Sequence, residues 1–338
     1  MGNTGFVGSY LSLTLSLMDS KILGYSLKKK DKRYLSNNPE YKKKIKTIYD
    51  DLINVDKYRN IIKRFKPQIL IHLASQPLVS ESYINSKKNY ETNVMGTVKL
   101  LELSKELRYL KNILIFTSDK VYKNLEKNRL NEKSPLGGED PYSASKSAQD
   151  LISNSYKLSF FKKNKNVFLV RAGNIIGGGD WEKTRLIPDL FLSNLKKKNI
   201  YLRNPNATRP WQHILDVVEG ILKLILVKGK KISNTSHIYN IGPNSNKDMK
   251  VKYFIQKFID SAPYIKIKYK FKNIKFSEKK FLRLSSKLIM KDIKWKSKLN
   301  IDDSIKLTSK WYYEFFKNKK QIINFTSQQI EFFFKKYR

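Results

Sequence analysis

The sequence predicts an α/β fold, in which helices cover both faces of a doubly wound parallel sheet. Two observations support this prediction. Short apolar runs, typical of buried strands, alternate with longer segments of helical periodicity. A glycine-rich turn also precedes the first helical segment, as expected where the chain turns around a phosphate group. After about residue 175 the alternation becomes less regular, which indicates a second, smaller domain that covers a substrate.

The predicted elements follow one another as strand, helix and strand, the order that crossover connections between parallel strands require. The predicted strands are Lys21–Ser26, Ile45–Tyr49, Ile69–Leu73, Ile113–Thr117 and Asn166–Arg171. The predicted helices run from the glycine turn through Met18 and then over Lys57–Phe65, Asn89–Leu107 and Tyr142–Phe161.

Composition restricts the class of protein. The chain has 338 residues, of which 40% are hydrophobic, and these suffice for one large core or two abutting domains. Its longest apolar stretches, such as Ile221–Val227, fall far short of the roughly 18–20 residues of a membrane span. The N-terminus lacks the basic region of a signal peptide, so we expect a cytoplasmic protein with no membrane partner. With no cysteine and three histidines, no disulfide and no metal site are predicted.

The net charge is +39, from 68 Lys and Arg against 29 Asp and Glu. Such a charge could serve to bind a polyanion, and this alternative requires a continuous basic face with interleaved aromatic residues. Lysines are spread along the whole chain, however, so we predict a solvated surface and no nucleic-acid partner. The scarce arginines include Arg171, Arg185, Arg203 and Arg209, a cluster that suits bidentate phosphate recognition.

Gly2, Gly5 and Gly8 have the spacing of a dinucleotide-binding turn. Glycine lets the backbone approach a pyrophosphate closely, and the helix that follows offers free N–H groups. The strand that normally feeds such a turn would lie before residue 1, so we expect this first, central strand to be missing from the chain. The acid that would favour NAD over NADP after the second strand is replaced by Tyr25-Ser26-Leu27.

Five residues form the predicted catalytic group. Four-residue spacing on a helix places Tyr142 and Lys146 on one face, about 6 Å apart, where the ammonium could lower the pKa of the phenol from about 10. The polar triplet Ser118, Asp119 and Lys120 follows a predicted strand, where side chains emerge from the sheet. In so lysine-rich a chain a Tyr-x-x-x-Lys spacing alone is weak, Asp119 could cap a helix or turn, and Lys120 could be merely exposed. The prediction of a catalytic group therefore depends on the triplet and the Tyr142–Lys146 pair occurring together.

These motifs resemble the extended short-chain dehydrogenase/reductases (the NAD-dependent epimerase/dehydratase family) and, among them, the CDP-glucose 4,6-dehydratases. The resemblance covers nearly the full chain. The matching blocks are GNTGFVGSYLSL from Gly2, HLASQPLV from His72, NVMGTVKLLE from Asn93, FTSDKVY from Phe116, LGGEDPYSASK from Leu136, RAGNIIGGGDW from Arg171, RLIPD from Arg185 and RNPNATRPWQH from Arg203. Val7 and Thr184 depart from the pattern, at positions often held by lysine and aspartate.

The resemblance implies an NAD-dependent hydro-lyase that converts CDP-glucose to CDP-4-keto-6-deoxyglucose by internal hydride transfer, for deoxysugar and surface polysaccharide (lipopolysaccharide) synthesis. Tyr142 would take the proton of the sugar 4-hydroxyl, and Ser118 would hold that hydroxyl. Lys120 would remove the C5 proton, and Asp119 would protonate the departing 6-hydroxyl. The alternatives are a dehydratase or epimerase for another nucleotide sugar, or a truncated relic that binds a sugar nucleotide without turnover.

The resemblance also implies binding residues, domains and a homodimer. Asp51 has a second interpretation as a helix N-cap, and His72 is assigned no chemistry. The expected cofactor-binding residues are Gly2, Gly5, Phe6, Gly8, Asp51, Leu52, Leu73, Ala74, Gln76, Asn93, Tyr142 and Lys146. The expected substrate-binding residues are Asn174, Arg185, Arg203 and Arg209. The expected domains are a Rossmann-like NAD-binding domain at 1–172, to which a segment near 209–233 returns, a sugar-nucleotide domain at 173–208 and 234–320, and a basic tail at 321–338.

Overall fold

The computed structural model describes residues 1–123, 129–161, 164–227, 237–243, 249–271 and 281–337. The α-helices are α1 Phe6–Leu17, α2 Pro39–Lys44, α3 Arg59–Phe65, α4 Val79–Ile84, α5 Ser86–Tyr90, α6 Gly96–Glu106, α7 Pro141–Tyr156, α8 Leu186–Leu195, α9 Ile214–Ile225, α10 Val251–Asp260, α11 Lys287–Ile293, α12 Ile301–Lys317 and α13 Ile322–Lys336. The strands are β1 Leu23–Ser26, β2 Lys46–Tyr49, β3 Ile69–His72, β4 Asn112–Phe116, β5 Asn166–Ala172, β6 Ile175–Ile176, β7 Ile200–Leu202, β8 Gln212–His213, β9 Ile238–Ile241 and β10 Tyr269–Phe271. Short π-helical segments, Glu91–Met95 and Lys157–Phe161, continue α5 and α7.

The predicted fold class is confirmed. The main sheet is four-stranded and parallel, in the order β3-β4-β5-β9, and β1 and β2 form a second parallel pair. Helices α4 to α6 connect β3 to β4, and α7 connects β4 to β5, as crossover connections between parallel strands require. Because all these strands run the same way, the carboxyl ends of β3, β4 and β5 meet at one edge of the sheet.

Met1 and Gly2 lie between the two parts of this sheet. The Met1 ammonium donates to Ile71 O over 2.6 Å, and Met1 O accepts from Leu73 N over 3.0 Å. On the other side, Gly2 N donates to Tyr25 O over 2.8 Å. In the described residues, β1 and β3 have no ladder of their own with each other. The backbone of these two residues therefore occupies the place of the central strand that the sequence predicts to be missing.

Two apolar layers cover the sheet. The larger core combines α1, α9, α12 and α13 with one face of the sheet, and the smaller lies under α3 and α6 on the opposite face. The predicted basic tail is a packed helix: α13 buries Ile323, Ile330 and Phe333, and Trp311 Nε1 donates to Thr326 Oγ1 over 2.8 Å. None of the described helices is both long and apolar enough to cross a bilayer.

The remaining described strands lie beyond the main sheet, as the pairs β6–β8 and β7–β10, near α8 and α10. This part of the chain faces the carboxyl edge of β4 and β5 across a cleft. The division into domains stays a prediction, and residues 228–233 of the expected returning segment lie outside the described residues. The cleft between the two parts is the feature that organises the candidate site.

Candidate active site

A cleft of about 440 Å³ lies at the carboxyl ends of β3, β4 and β5. Ligands of doubly wound folds bind at this edge, because the connections there diverge to opposite faces of the sheet. Most of the predicted site residues line the cleft, namely Gly2, Gly5, Phe6, Gly8, Asp51, Leu52, Leu73, Ala74, Ser118, Asp119, Lys120, Tyr142, Lys146, Asn174, Arg185 and Arg203. Gln76, Asn93 and Arg209 are not among the residues that form its described wall.

The glycine turn closes one end of the cleft. A Cβ on Gly2, whose φ is +83°, would lie 2.6 Å from Ala74 N, and a Cβ on Gly8 would lie 2.1 Å from Gly2 O. Neither position has room for a side chain. Gly5 is the N-cap of α1, and no side chain caps this helix or places an acid in its first turn. The positive end of the α1 dipole is therefore available to a phosphate group.

Asp51 is the N-cap that one of its two interpretations predicts, and its contact with the cofactor stays a prediction. Its Oδ1 accepts from Ile53 N over 3.2 Å, which caps the 3₁₀ turn after β2, and its Oδ2 pairs with Lys88 Nζ at 2.7 Å. The same residue lines the cleft beside Leu52, whose side chain packs against Gly96 at the start of α6. Asp51 thus fixes the cleft wall and also presents its carboxylate at the wall.

Gln76 and Asn93 lie behind the cleft wall. Asn93 Oδ1 accepts from Gln76 N over 2.8 Å, and its Nδ2 donates to Ser145 Oγ over 2.9 Å and to Asn89 Oδ1 over 3.1 Å. The Gln76 side chain closes a turn with the backbone of Leu78. These bonds fix the loop after β3 against α7, so the two side chains support the wall and do not themselves form it.

The polar triplet after β4 is held by its neighbours. Asp119 is buried and accepts from Ser118 Oγ over 3.1 Å and from Asn174 Nδ2 over 3.0 Å. A Cβ on Gly173 would lie within 2 Å of the Asp119 carboxylate, so that position requires glycine. Lys120 is half-buried, and its Nζ lies 6.0 Å from the centre of the Tyr142 ring. The triplet and the tyrosine therefore meet, as the sequence predicted.

Tyr142 sits in the first turn of α7, which begins at Pro141 because the Asp140 side chain accepts from Ser143 N over 2.9 Å. Tyr142 and Lys146 share one buried face of this helix. The lowered phenol pKa that the spacing suggested is absent in this structure. Burial raises the pKa of Tyr142 to about 12, and a hydrogen bond with Ser118 only partly opposes this rise. The Lys146 ammonium donates to Gln149 Oε1 at 2.9 Å.

The four arginines separate into two groups. Arg171 is wrongly grouped with the phosphate-binding candidates: it is buried and forms a two-pronged ion pair with Asp150, with Nε and Nη2 at 2.9 and 2.6 Å from the carboxylate. Arg185 lines the cleft and pairs with Asp180 at 3.0 Å, and its positive charge lowers the pKa of Tyr142. Arg203 also lines the cleft and donates to the backbone oxygen of Thr184.

Arg209 lies outside the main cleft, in the wall of a smaller cavity of about 90 Å³ that Arg203 and Trp211 also line. Its guanidinium donates to Thr208 O over 2.9 Å. Arg203 and Trp211 line both cavities, so the two are adjacent.

Sequence reasoning missed Asp150, Asp180 and Gln149. Asp150 and Gln149 lie on the same buried face of α7 as Tyr142 and Lys146, so their helical spacing was a usable signal. A charged residue on the buried face of a helix needs a partner, and Arg171 on β5 is that partner. Asp180 follows a glycine-rich turn, where sequence gives no spacing rule.

Comparison with known proteins places the chain in a family. The family model described as GDP-mannose 4,6 dehydratase matches residues 1–308. The chain belongs to this dehydratase family. It is 38% identical over 268 residues to the CDP-glucose 4,6-dehydratase of Salmonella typhimurium, which covers 76% of this chain and 74% of the relative. It is 33% identical over 274 residues to the dTDP-D-glucose 4,6-dehydratase of Dictyostelium discoideum, covering 74% of this chain and 60% of that protein. The resemblance given by the motifs is thereby confirmed.

Solved structures of related enzymes show the same fold. The dTDP-glucose 4,6-dehydratase of Bacillus anthracis, solved with NAD, superimposes with a TM-score of 0.76 at 24% identity and covers 93% of this chain and 95% of that one. The UDP-glucose 4-epimerase of Thermotoga maritima, solved with UDP-glucose, gives a TM-score of 0.80 at 17% identity and covers 93% and 98% of the two chains. These likenesses confirm the Rossmann-like fold of this family member.

Proposed function

We propose that this chain is an NAD-dependent 4,6-dehydratase of CDP-glucose. The observation that carries the proposal is the meeting of the triplet Ser118, Asp119 and Lys120 with Tyr142 at one end of a cleft whose other end is the glycine turn. Membership of the 4,6-dehydratase family supports the reaction. The 38% identity to a CDP-glucose enzyme supports the cytidine nucleotide over the thymidine and uridine alternatives among the relatives.

The residues that form the cleft fit a dinucleotide. The uncapped start of α1 would hold the pyrophosphate, Asp51 and Leu52 the adenosine, and Tyr142 and Lys146 the nicotinamide ribose. The crowded Cβ positions of Gly2 and Gly8 keep this turn free of side chains. NAD bound there would supply the oxidant for the sugar C4 alcohol and, once reduced, the reductant for C6.

The proton steps are assigned to this chain's own side chains. Tyr142 would accept the proton of the sugar 4-hydroxyl, which the Ser118 hydroxyl orients. The carbonyl formed at C4 acidifies the proton at C5, which Lys120 would remove. Asp119 would donate a proton to the leaving 6-hydroxyl, and the hydrogen bonds from Ser118 and Asn174 hold its carboxyl group in place. Arg185 and Arg203 would bind the nucleotide phosphates.

The test is turnover by the purified protein supplied with NAD and, in parallel, CDP-glucose, dTDP-glucose, UDP-glucose and GDP-mannose. We expect CDP-glucose to give the 4-keto-6-deoxy product, detected by its absorbance in alkali and by mass loss of one water. Preference for another nucleotide would overturn the CDP assignment alone. Absence of product from every nucleotide sugar, in a folded protein shown to bind NAD, would overturn the dehydratase assignment.

We further propose that the protein is a homodimer. An apolar patch on the surface combines α7 with the neighbouring segment from α4 to the start of α6. Its members are Ile84, Tyr90, Met95, Leu151 and Leu158, and Ile84 and Leu151 are 78% and 58% exposed. The residues lie on helical segments that contact one another. A second copy of the same patch would cover it, since contiguous exposed apolar surface marks interaction sites.

Sedimentation of the wild type and of a Leu151→Asp, Leu158→Asp double variant tests this proposal. We expect a dimer for the wild type and a monomer for the variant, because each copy would bring two buried carboxylates into the interface. Leu226→Asp, at an exposed position after α9, is the matched control and should remain dimeric. A monomeric wild type at micromolar concentration would refute the proposal.

A further inference from the structure

Lys146 is buried, and the partner of its ammonium is an uncharged side chain. Nζ donates to Gln149 Oε1 over 2.9 Å, from one turn of α7 to the next. Both residues are almost inaccessible to solvent. Among the described residues, no carboxylate forms an ion pair with this ammonium, and burial is the cause that lowers the pKa of Lys146 to about 7. Gln149 is therefore the group that favours the charged form of Lys146.

The neighbouring hydrogen-bond donors and acceptors determine the orientation of the Gln149 amide. Its Nε2 donates to Thr97 Oγ1 over 2.9 Å, and the Thr97 hydroxyl gives its own proton to Asn93 O over 2.7 Å. A hydroxyl has one proton, so Thr97 can only accept from Gln149. The opposite orientation would direct the amide N–H groups at the ammonium, which has no lone pair to accept them. Gln149 is thus held as an acceptor for Lys146.

His72 completes this arrangement from β3. Its Nε2 lies 3.0 Å from Thr97 Oγ1 and 3.3 Å from Gln149 Nε2. Because the Thr97 proton goes to Asn93, the contact between Nε2 and Thr97 is a hydrogen bond when Nε2 carries the ring proton and donates it. The buried Nδ1 has no hydrogen-bond partner in the described structure. Burial lowers the pKa of His72 well below its ordinary value, so the ring is neutral. Thr97 and His72, the two residues that contact the Gln149 amide nitrogen, therefore add no charge.

We propose that Gln149 is a positioning residue for the Tyr142–Lys146 pair: a neutral acceptor, locked by Thr97 and His72, that holds the ammonium without cancelling its charge. The inference rests on the proposed function, in which Tyr142 accepts a proton. A carboxylate at position 149 would pair with the ammonium and cancel its field at the phenol. An apolar side chain there would leave the buried ammonium with no acceptor and favour neutral Lys146.

Other charges surround the pair and are the same in every variant of position 149. Asp119, Lys120, Arg185 and Asp140 act on the Tyr142 phenol from the loops around it, and Asp150 lies on α7. The Met1 amino group, whose pKa burial lowers to about 5, and the neutral His72 lie on the β3 side. Of these, Asp150 is paired with Arg171 and Arg185 with Asp180. A change at position 149 therefore alters the one direct partner of Lys146 and leaves this background constant.

The experiment compares the pH dependence of kcat/KM in the wild type, Gln149→Glu and Gln149→Met. We expect the acidic limb, which reports ionisation of Tyr142, to move up by about one pH unit or more in both variants. Activity at neutral pH would then fall about tenfold and recover at higher pH. A second readout needs no turnover: the tyrosinate absorbance of each NAD-bound protein, minus that of its Tyr142→Phe counterpart, should show the same shift.

Matched variants separate this role from a structural one. Asn154→Asp adds the same charge to a half-exposed position on α7 and should leave the limb unmoved. Thr97→Val should move the acidic limb in the same direction as the Gln149 variants, but by less, and Thr97→Ser should give the wild-type limb. If Gln149→Glu does not fold, these two Thr97 variants test the positioning role of Gln149. A loss of rate that is uniform across pH, with an unshifted tyrosinate titration, overturns the proposal. Inactivity of the wild type would instead refute the proposed function, and the titration would still decide the role of Gln149.

Discussion

The two walls of the cleft hold their side chains in different ways. The catalytic wall (Ser118, Asp119, Lys120, Tyr142 and Lys146) is built on the ends of β4 and on α7, and four of its five residues are buried. The arginine wall (Arg185 and Arg203) is built on the segments before α8 and after β7, and the Arg185 side chain is 36% exposed.

The partners of the two walls differ as well. Asp119 accepts from the Asn174 amide and Lys146 donates to the Gln149 amide, and both amides are uncharged groups of the fold. Arg185 is paired with a carboxylate and Arg203 with a backbone oxygen, and a phosphate group can replace either partner. Under the proposed function, the proton-transfer groups are held by the fold before the substrate binds, whereas the phosphate-binding groups would exchange one anionic or polar partner for another.

The largest expected effect concerns the catalytic wall. Tyr142→Phe should lower kcat about 10³-fold, because it removes the proton acceptor, and should leave KM and the melting temperature nearly unchanged. Steady-state kinetics with CDP-glucose and thermal melting provide the measurements. Tyr253→Phe, on an exposed face of α10, is the control and should retain full activity. Comparable kcat values for Tyr142→Phe and Tyr253→Phe would show that Tyr142 is not the proton acceptor.

The next effect concerns the support of that wall. Asp150→Asn should lower the free energy of unfolding by about 3–5 kcal/mol, because it leaves the buried Arg171 guanidinium without its counter-charge. Urea denaturation measures the loss. The double variant Asp150→Asn, Arg171→Met removes both charges and should recover part of it. A change of less than about 1 kcal/mol in the single variant would show that water reaches the pair, contrary to its burial.

A smaller effect is expected on the arginine wall. Arg185→Ala should raise KM for CDP-glucose about 10- to 100-fold, since a charge-assisted hydrogen bond contributes about 1.5–3 kcal/mol. Arg185→Lys should recover part of the affinity, because it retains the charge without the planar fork. The melting temperature should fall modestly in Arg185→Ala, because Arg185 is partly exposed but the Asp180 carboxylate that loses its partner is buried. A large loss of stability with unchanged KM would mean that Arg185 is structural.

The smallest effect is expected at the rim of the cleft. Lys88→Ala removes the ion pair with Asp51, in which the lysine is 44% exposed, and should change the free energy of unfolding by less than about 1 kcal/mol. The cap that Asp51 forms with Ile53 N is untouched by this variant. Isothermal titration with NAD should therefore give an affinity close to that of the wild type. A tenfold weaker affinity would show that Lys88, and not the Asp51 cap, fixes this wall.

Much of the fold could be predicted because its signals are local. The strands Ile69–Leu73 and Ile113–Thr117 differ by one residue at the ends from β3 and β4, since a short apolar run between polar residues has few other structures available. The long predicted helix Asn89–Leu107 is instead α5, a π segment and α6 in succession. Hydrophobic periodicity does not distinguish a π turn from an α turn, so it could not predict the π segment between α5 and α6.

The sequence alone determined the strand–helix order, the glycine turn and the spacing of Tyr142 and Lys146, because each depends on residues close together in the chain. Only the tertiary structure decided that Arg171 pairs with Asp150, that Asn93 supports the wall from behind, and that the Lys146 ammonium points to Gln149. These outcomes depend on which groups burial brings together. A buried charge or amide takes whichever partner the packed neighbours provide, and residues such as His72, Thr97 and Gln149 meet only after the sheet and α7 have packed.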